Sequence, residues 1–89
     1  MKPKKEQVLK VLKPDGTVLE QTVKGFESFH TLQTLVGGMV TYISLPKSQV
    51  LVVNEEGLLL GLPPNRNASE AVGQFIVGTA VLCHKSALT

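Results

Sequence analysis

Aromatic residues are scarce in this chain. There is no Trp, one Tyr and three Phe in 89 residues. Its core must therefore be built from Val, Leu and Ile, and a β-branched, aliphatic core in so short a chain favours strands. Cysteine is scarcer still. Cys83 stands alone, which excludes an intrachain disulfide and fits a reducing compartment. Charge is low, at 18% of residues, against a usual share of about 25%. The longest apolar runs, 50–53 and 58–60, fall far short of the about 20 residues a membrane-spanning helix needs. No apolar segment follows the N-terminal lysines, so no secretory leader is expected. A cytoplasmic protein with no membrane partner is the resulting expectation, and without a secretion route the sequon Asn67-Ala68-Ser69 carries no meaning.

Several chemistries lack their parts. A structural zinc site takes four ligands, whereas the chain holds one Cys and two His. Cys83 and His84 are neighbours on an expected strand, so they point to opposite faces and cannot form a nucleophile–base pair. His30 falls on the polar side of an expected helix. Gly37 and Gly38 end that helix instead of opening one, and no phosphate-loop lysine accompanies them. Single-stranded nucleic acid needs exposed aromatic platforms. Tyr42 is the one suited to that role, and Phe75 is expected in the core. Glu55 and Glu56 have neither the length nor the spacing of a hard-cation loop, and a solvated turn accounts for them. Neither an enzyme nor a cofactor is expected.

What remains describes one domain. The chain is of a size that buries roughly 60–65% of its unfolded surface, enough to fold alone. Residues 1–6 read as a disordered basic tail, 7–84 as a single α+β domain and 85–89 as a C-terminal tail. Residues 7–12 and 17–24 make a β-hairpin around Pro14, Asp15, Gly16 and Thr17, residues with the φ preferences and local hydrogen bonding of a turn. Phe29, Leu32, Leu35 and Val36 share one face of a helix over 26–36. Glu27 or Ser28 is placed to cap it, Phe26 to staple its first turn, and Gly37 to end it. A strand over 39–45 stops at Pro46. Two more strands, 50–53 and 58–62, are expected as a hairpin around Asn54, Glu55, Glu56 and Gly57. Pro63 and Pro64 then form a stiff corner, residues 68–74 a helical turn with Ser69 as cap, and 75–82 a final strand interrupted by Gly78.

The order ββαββ(ββ) gives an α+β fold with a mainly antiparallel, twisted, partly curled sheet of five to six strands and one main helix. One helix cannot cover both faces of such a sheet. Curling, together with cover from another subunit, is the expected remedy, which makes a homo-oligomer an expected state.

Four motifs occur in order: Leu35-Val36-Gly37-Gly38, Asn54-Glu55-Glu56-Gly57, Gly61-Leu62-Pro63-Pro64-Asn65-Arg66 and Val77-Gly78-Thr79-Ala80. With them the chain resembles a small bacterial and phage domain family of unknown function over residues 8–82. The resemblance implies no catalytic role. Members often carry an acidic residue where this chain has Thr41, so any site using that carboxylate is altered here.

The corner 61–67 is the expected functional segment. Proline stiffness lowers the entropy lost in presenting polar groups. Asn65, Arg66 and Asn67 supply donors, acceptors and a planar cation, with Tyr42 and Thr41 expected nearby. A non-catalytic binding or accessory module follows, holding a protein segment or a small anion. Two alternatives stand beside it: nucleic-acid binding through Lys2, Lys4, Lys5, Lys10 and Lys13, and self-assembly through an apolar sheet face.

Overall fold

The computed structural model describes residues 6–88; the lysines at positions 2, 4 and 5, in the expected basic tail, lie outside them. Strands β1 (Gln7–Leu12) and β2 (Val18–Val23) form the first hairpin. Its turn is closed by Gly16 N–H on the Lys13 carbonyl at 3.0 Å and Lys13 N–H on the Thr17 carbonyl at 2.9 Å. Asp15 Oδ1 accepts from Thr17 N–H at 2.8 Å, and hydrogen bonding from Thr17, its side chain first and its backbone second, holds the carboxyl below the ordinary carboxylate range.

A 3-10 turn at Gly25–Glu27 leads into α1 (Ser28–Val36). No side-chain bond caps the helix at Glu27. Ser28 faces inward instead, its Oγ 2.8 Å from the Gly25 carbonyl and 2.7 Å from the Ala87 carbonyl; its single proton serves one at a time. The buried stripe of α1 runs through Ser28, Leu32 and Val36, which turns Phe29 outward, half exposed. Gly37 ends the helix as expected, at φ +82° with its N–H on the Gln33 carbonyl.

Strands β3 (Val40–Leu45) and β4 (Gln49–Asn54) form the second hairpin. Here the expectation of a further β4 hairpin partner fails. Residues 58–62 are not a strand. They belong to a compact turn in which Leu60 N–H reaches the Glu56 carbonyl, Gly61 N–H the Leu58 carbonyl and Leu62 N–H the Gly57 carbonyl, at 2.9–3.1 Å. The reason is topological. β4 is already bonded on one side to β3 and on the other to β5 (Ala80–His84), so no place is left beside it.

The final strand also starts later than its apolar run. Val77 makes only an isolated bridge to Pro64, and Gly78 turns the chain at φ +77° before β5 begins. Between these points lies α2 (Arg66–Val72). It starts two residues earlier than expected and is capped by Asn65. Ser69 instead bonds the Asn65 carbonyl and receives the Ile76 N–H.

The five strands form one open antiparallel sheet in the order β2-β1-β5-β4-β3. Alternation along the strands sends Leu9, Val11, Val50, Val52, Val81 and Cys83 to the α1 side, where they pack with Leu32 and Val36. Leu12, Leu51, Val53 and Ala80 point the other way, against Ala68 and Ile76. The chain's own excursion 55–79 thus packs on the second face. Of the tail expected at 85–89, Lys85–Leu88 is instead a 3-10 turn whose Ala87 is buried in the α1-side core; Thr89 lies outside the described residues.

The excursion sits close to itself at two glycines. A Cβ on Gly57 would stand 2.8 Å from Val77 Cγ2, and one on Gly78 2.7 Å from Leu62 Cδ1. Gly61 is also left-handed, at φ +67°, but faces open space. Chemical denaturation should therefore rank two alanine variants. Gly78→Ala combines backbone strain with a clash and should lose about 2–3 kcal/mol. Gly61→Ala carries only the backbone term and should lose about 1 kcal/mol.

Candidate functional site

The corner 61–67 is built around a buried side chain. Asn65 has no exposed surface. Its Nδ2 donates to the Leu12 and Gly78 carbonyls, both at 2.8 Å, and its Oδ1 accepts the Ala68 N–H at 3.1 Å. Its backbone N–H bonds the Ile76 carbonyl. Asn is the residue for this position because one carboxamide supplies two donors and an acceptor at a helix N-cap. The expectation that Asn65 contacts a ligand is corrected by that burial.

The other two corner residues go elsewhere. Arg66 lies in solvent, its side chain 89% exposed and 3.6 Å from Glu70 one helical turn on. Asn67, half-buried, reaches the Gly16 carbonyl at 3.5 Å and so links α2 to the β1–β2 turn. The three do not converge on one concave site.

Thr41 and Tyr42 are elsewhere again, on β3 at the sheet's edge. They line a groove of about 490 Å³ with Leu58, Leu59, Phe75, Glu55 and Glu56, among others. Neither Arg66 nor either corner Asn takes part. Leu58, Leu59 and Phe75 are 73%, 82% and 65% exposed, which overturns the expectation of a core Phe75, as the turn overturns that of a strand at 58–62. Glu55 and Glu56 are the charged residues of the lining. Asn54, buried beneath them, donates from Nδ2 to the Val36 carbonyl and accepts the Glu56 N–H, which fixes the turn against the end of α1. On the α1 side of the same strand a second cleft, about 870 Å³, runs from Tyr42 and Ser44 to Lys85 and Leu88. Tyr42 is the ridge between the two.

The signal for this groove was present in the sequence as three consecutive leucines after a polar turn. An apolar run after a turn favours a strand, and nothing local reveals that both sides of β4 are taken.

The backbone of β3 adds a feature. Glu55 N–H bonds the Met39 carbonyl at 2.8 Å. In an antiparallel ladder the residues facing the partner alternate, so Met39, Thr41, Ile43 and Leu45 turn their backbone groups to β4. Those of Val40, Tyr42 and Ser44 point away from the sheet.

Lys10 lies opposite Glu20 on β2, and Lys13 is half-buried at the turn. Among the described residues no cluster of His, Cys, Asp and Glu is arranged to hold a metal, and no helix is long and apolar enough to cross a membrane. Cys83 is buried on the α1 side, and burial pushes its thiol up to about 11. His84 faces solvent and accepts the Ser86 N–H on Nδ1.

Two outcomes follow. Asn65→Ala should cost about 3 kcal/mol in denaturant melts, since it removes a helix cap and leaves buried carbonyls unpaired. Arg66→Ala should change stability by less than about 0.5 kcal/mol. Cys83 should resist alkylation at pH 8 until the protein unfolds. Because its folded thiol loses its proton later than the unfolded one, stability should fall as pH rises from about 9 towards 11, on the order of 2 kcal/mol in all. Cys83→Ala should flatten that slope in melts taken across this range.

Neither a curated protein nor a solved structure matches the chain. One family profile does: a domain of unknown function, DUF3846, matches residues 7–87, from the first residue of β1 to the buried Ala87 in the closing 3-10 turn. The chain belongs to this family.

Proposed function

We propose that this domain is a non-catalytic binding module that receives an extended protein segment as an added strand along β3. One observation carries the reading. β3, Val-Thr-Tyr-Ile-Ser-Leu, is an edge strand with no charge, no proline and no bulge, beside a groove walled by exposed Leu58, Leu59 and Phe75. Natural sheets blunt a free edge with charges, prolines or bulges, because its unpaired N–H and C=O groups recruit other chains. β2, at the opposite edge, carries Glu20. β3 carries none of these devices. Strand addition uses the outward backbone groups for affinity and flanking pockets for the choice of side chain.

The groove takes apolar side chains, and Glu55 and Glu56 favour a Lys or Arg next to them. This chemistry replaces the small anion expected at Arg66. The nucleic-acid alternative draws nothing from the placement of Lys10 and Lys13. The lone Cys83 supports a reducing, cytoplasmic setting.

A display library of random ten-residue peptides tests the reading. Selected peptides should alternate apolar and other residues and carry a basic residue. They should lose at least about tenfold in affinity, or 1.4 kcal/mol, on Leu59→Glu, a substitution at a solvent-facing position that leaves the fold intact. Selected peptides that bind Leu59→Glu and wild type alike would overturn it.

A further inference from the structure

The two ends of β3 carry opposite charge. Glu55 and Glu56 stand at its start, tied there by the Glu55 N–H on the Met39 carbonyl. Lys47 follows at its far end in the turn 46–48, and Lys85 joins it there through its N–H on the Ser48 carbonyl at 2.8 Å. The strand between them is six uncharged residues, roughly 17–20 Å long. An edge that is acidic at one end, basic at the other and neutral between is its own complement when a second copy runs antiparallel to it.

Resting on the strand-addition reading, we infer that the segment received by β3 is β3 of a second copy of this chain. The backbone fixes the register. Only Val40, Tyr42 and Ser44 present outward N–H and C=O groups, and one antiparallel alignment engages all three: Tyr42 on Tyr42 of the second copy, with Val40 on Ser44 in both directions. A two-fold axis then passes between the tyrosines, perpendicular to the sheet. This is the isologous arrangement commonest among dimers. Thr41 of one copy meets Ile43 of the other on the groove side, and the two walls of Leu59 and Phe75 approach across the join. Glu55 and Glu56 of each copy come beside the end of the other that carries Lys47, with Lys85 beyond it. The product is a continuous sheet in which β3 is no longer an edge.

Sedimentation and hydrogen exchange over a concentration series test this. The wild type should pass from the 9.6 kDa monomer to twice that mass, with protection of the Tyr42 and Ser44 amides rising in step. Ser44→Pro removes an outward N–H and no bond to β4, and should hold the protein monomeric. Two charge variants retain the backbone should proline unfold the strand. Lys47→Glu with Lys85→Glu, and Glu55→Lys with Glu56→Lys, should each be monomeric alone and pair when mixed. A wild type that stays monomeric throughout, or a dimer unaffected by both charge variants, overturns the inference. The reading beneath it is separable. If the protein is monomeric but a display-selected peptide protects Tyr42 and Ser44, strand addition stands and the second copy falls. If neither protects them, both fall.

Discussion

The buried carboxamide of Asn65 joins three segments far apart in the chain: Leu12 at the end of β1, Gly78 ahead of β5 and Ala68 at the start of α2. That tie seats the excursion 55–79 on the sheet face opposite α1. Ala68 and Ile76 are thereby pressed onto Leu12, Leu51 and Ala80, and one small domain gains two cores separated by a single sheet. A buried amide is costly where any of its groups lacks a partner. Among the described residues no buried side-chain polar atom is left unpartnered, so the cost is met. The outward display of Leu58 and Leu59 follows from the same seating, because the segment leaving β4 must turn away before returning to Pro64 and Asn65.

The sheet's two edges are built differently. β2 has Glu20 opposite Lys10. β3 is neutral and flanked by a groove on one side and a cleft on the other. Such asymmetry is hard to explain by stability, since an exposed neutral edge invites indiscriminate pairing. It is explained if the edge is meant to be occupied.

Local signals made much of this legible. The first turn follows from Pro14, Asp15 and Gly16, the end of α1 from Gly37, and the strands at β1 to β4 from apolar and β-branched runs between turn signals. The α+β class and the family resemblance were also within reach. What failed was non-local. That β5 lies between β1 and β4 cannot be read from residues 80–84, and that one fact displaced the strand expected at 58–62 and with it the cover of the second face. Asn65 was singled out correctly as special, and its chemistry was assigned to a ligand when the chain itself supplies the partners. No sequence pattern distinguishes these two uses of a carboxamide; only burial does. Thr41 and Tyr42 proved to lie at the groove, but apart from the corner they were expected to join.

The position of β5 bears on how the protein is made. The β1–β2 and β3–β4 hairpins are each local and can close as soon as their own residues are available. They share no strand until β5 is inserted between them, and β5 is the last of the five strands in chain order. On a ribosome the two halves therefore wait side by side, with the inner edges of β1 and β4 unpaired, until residues 80–84 have been made. Long-range pairing of this kind is slow and leaves edges open to the wrong partner. The late arrival of residues 80–84, not the formation of either hairpin, sets the moment at which this domain becomes a single folded unit.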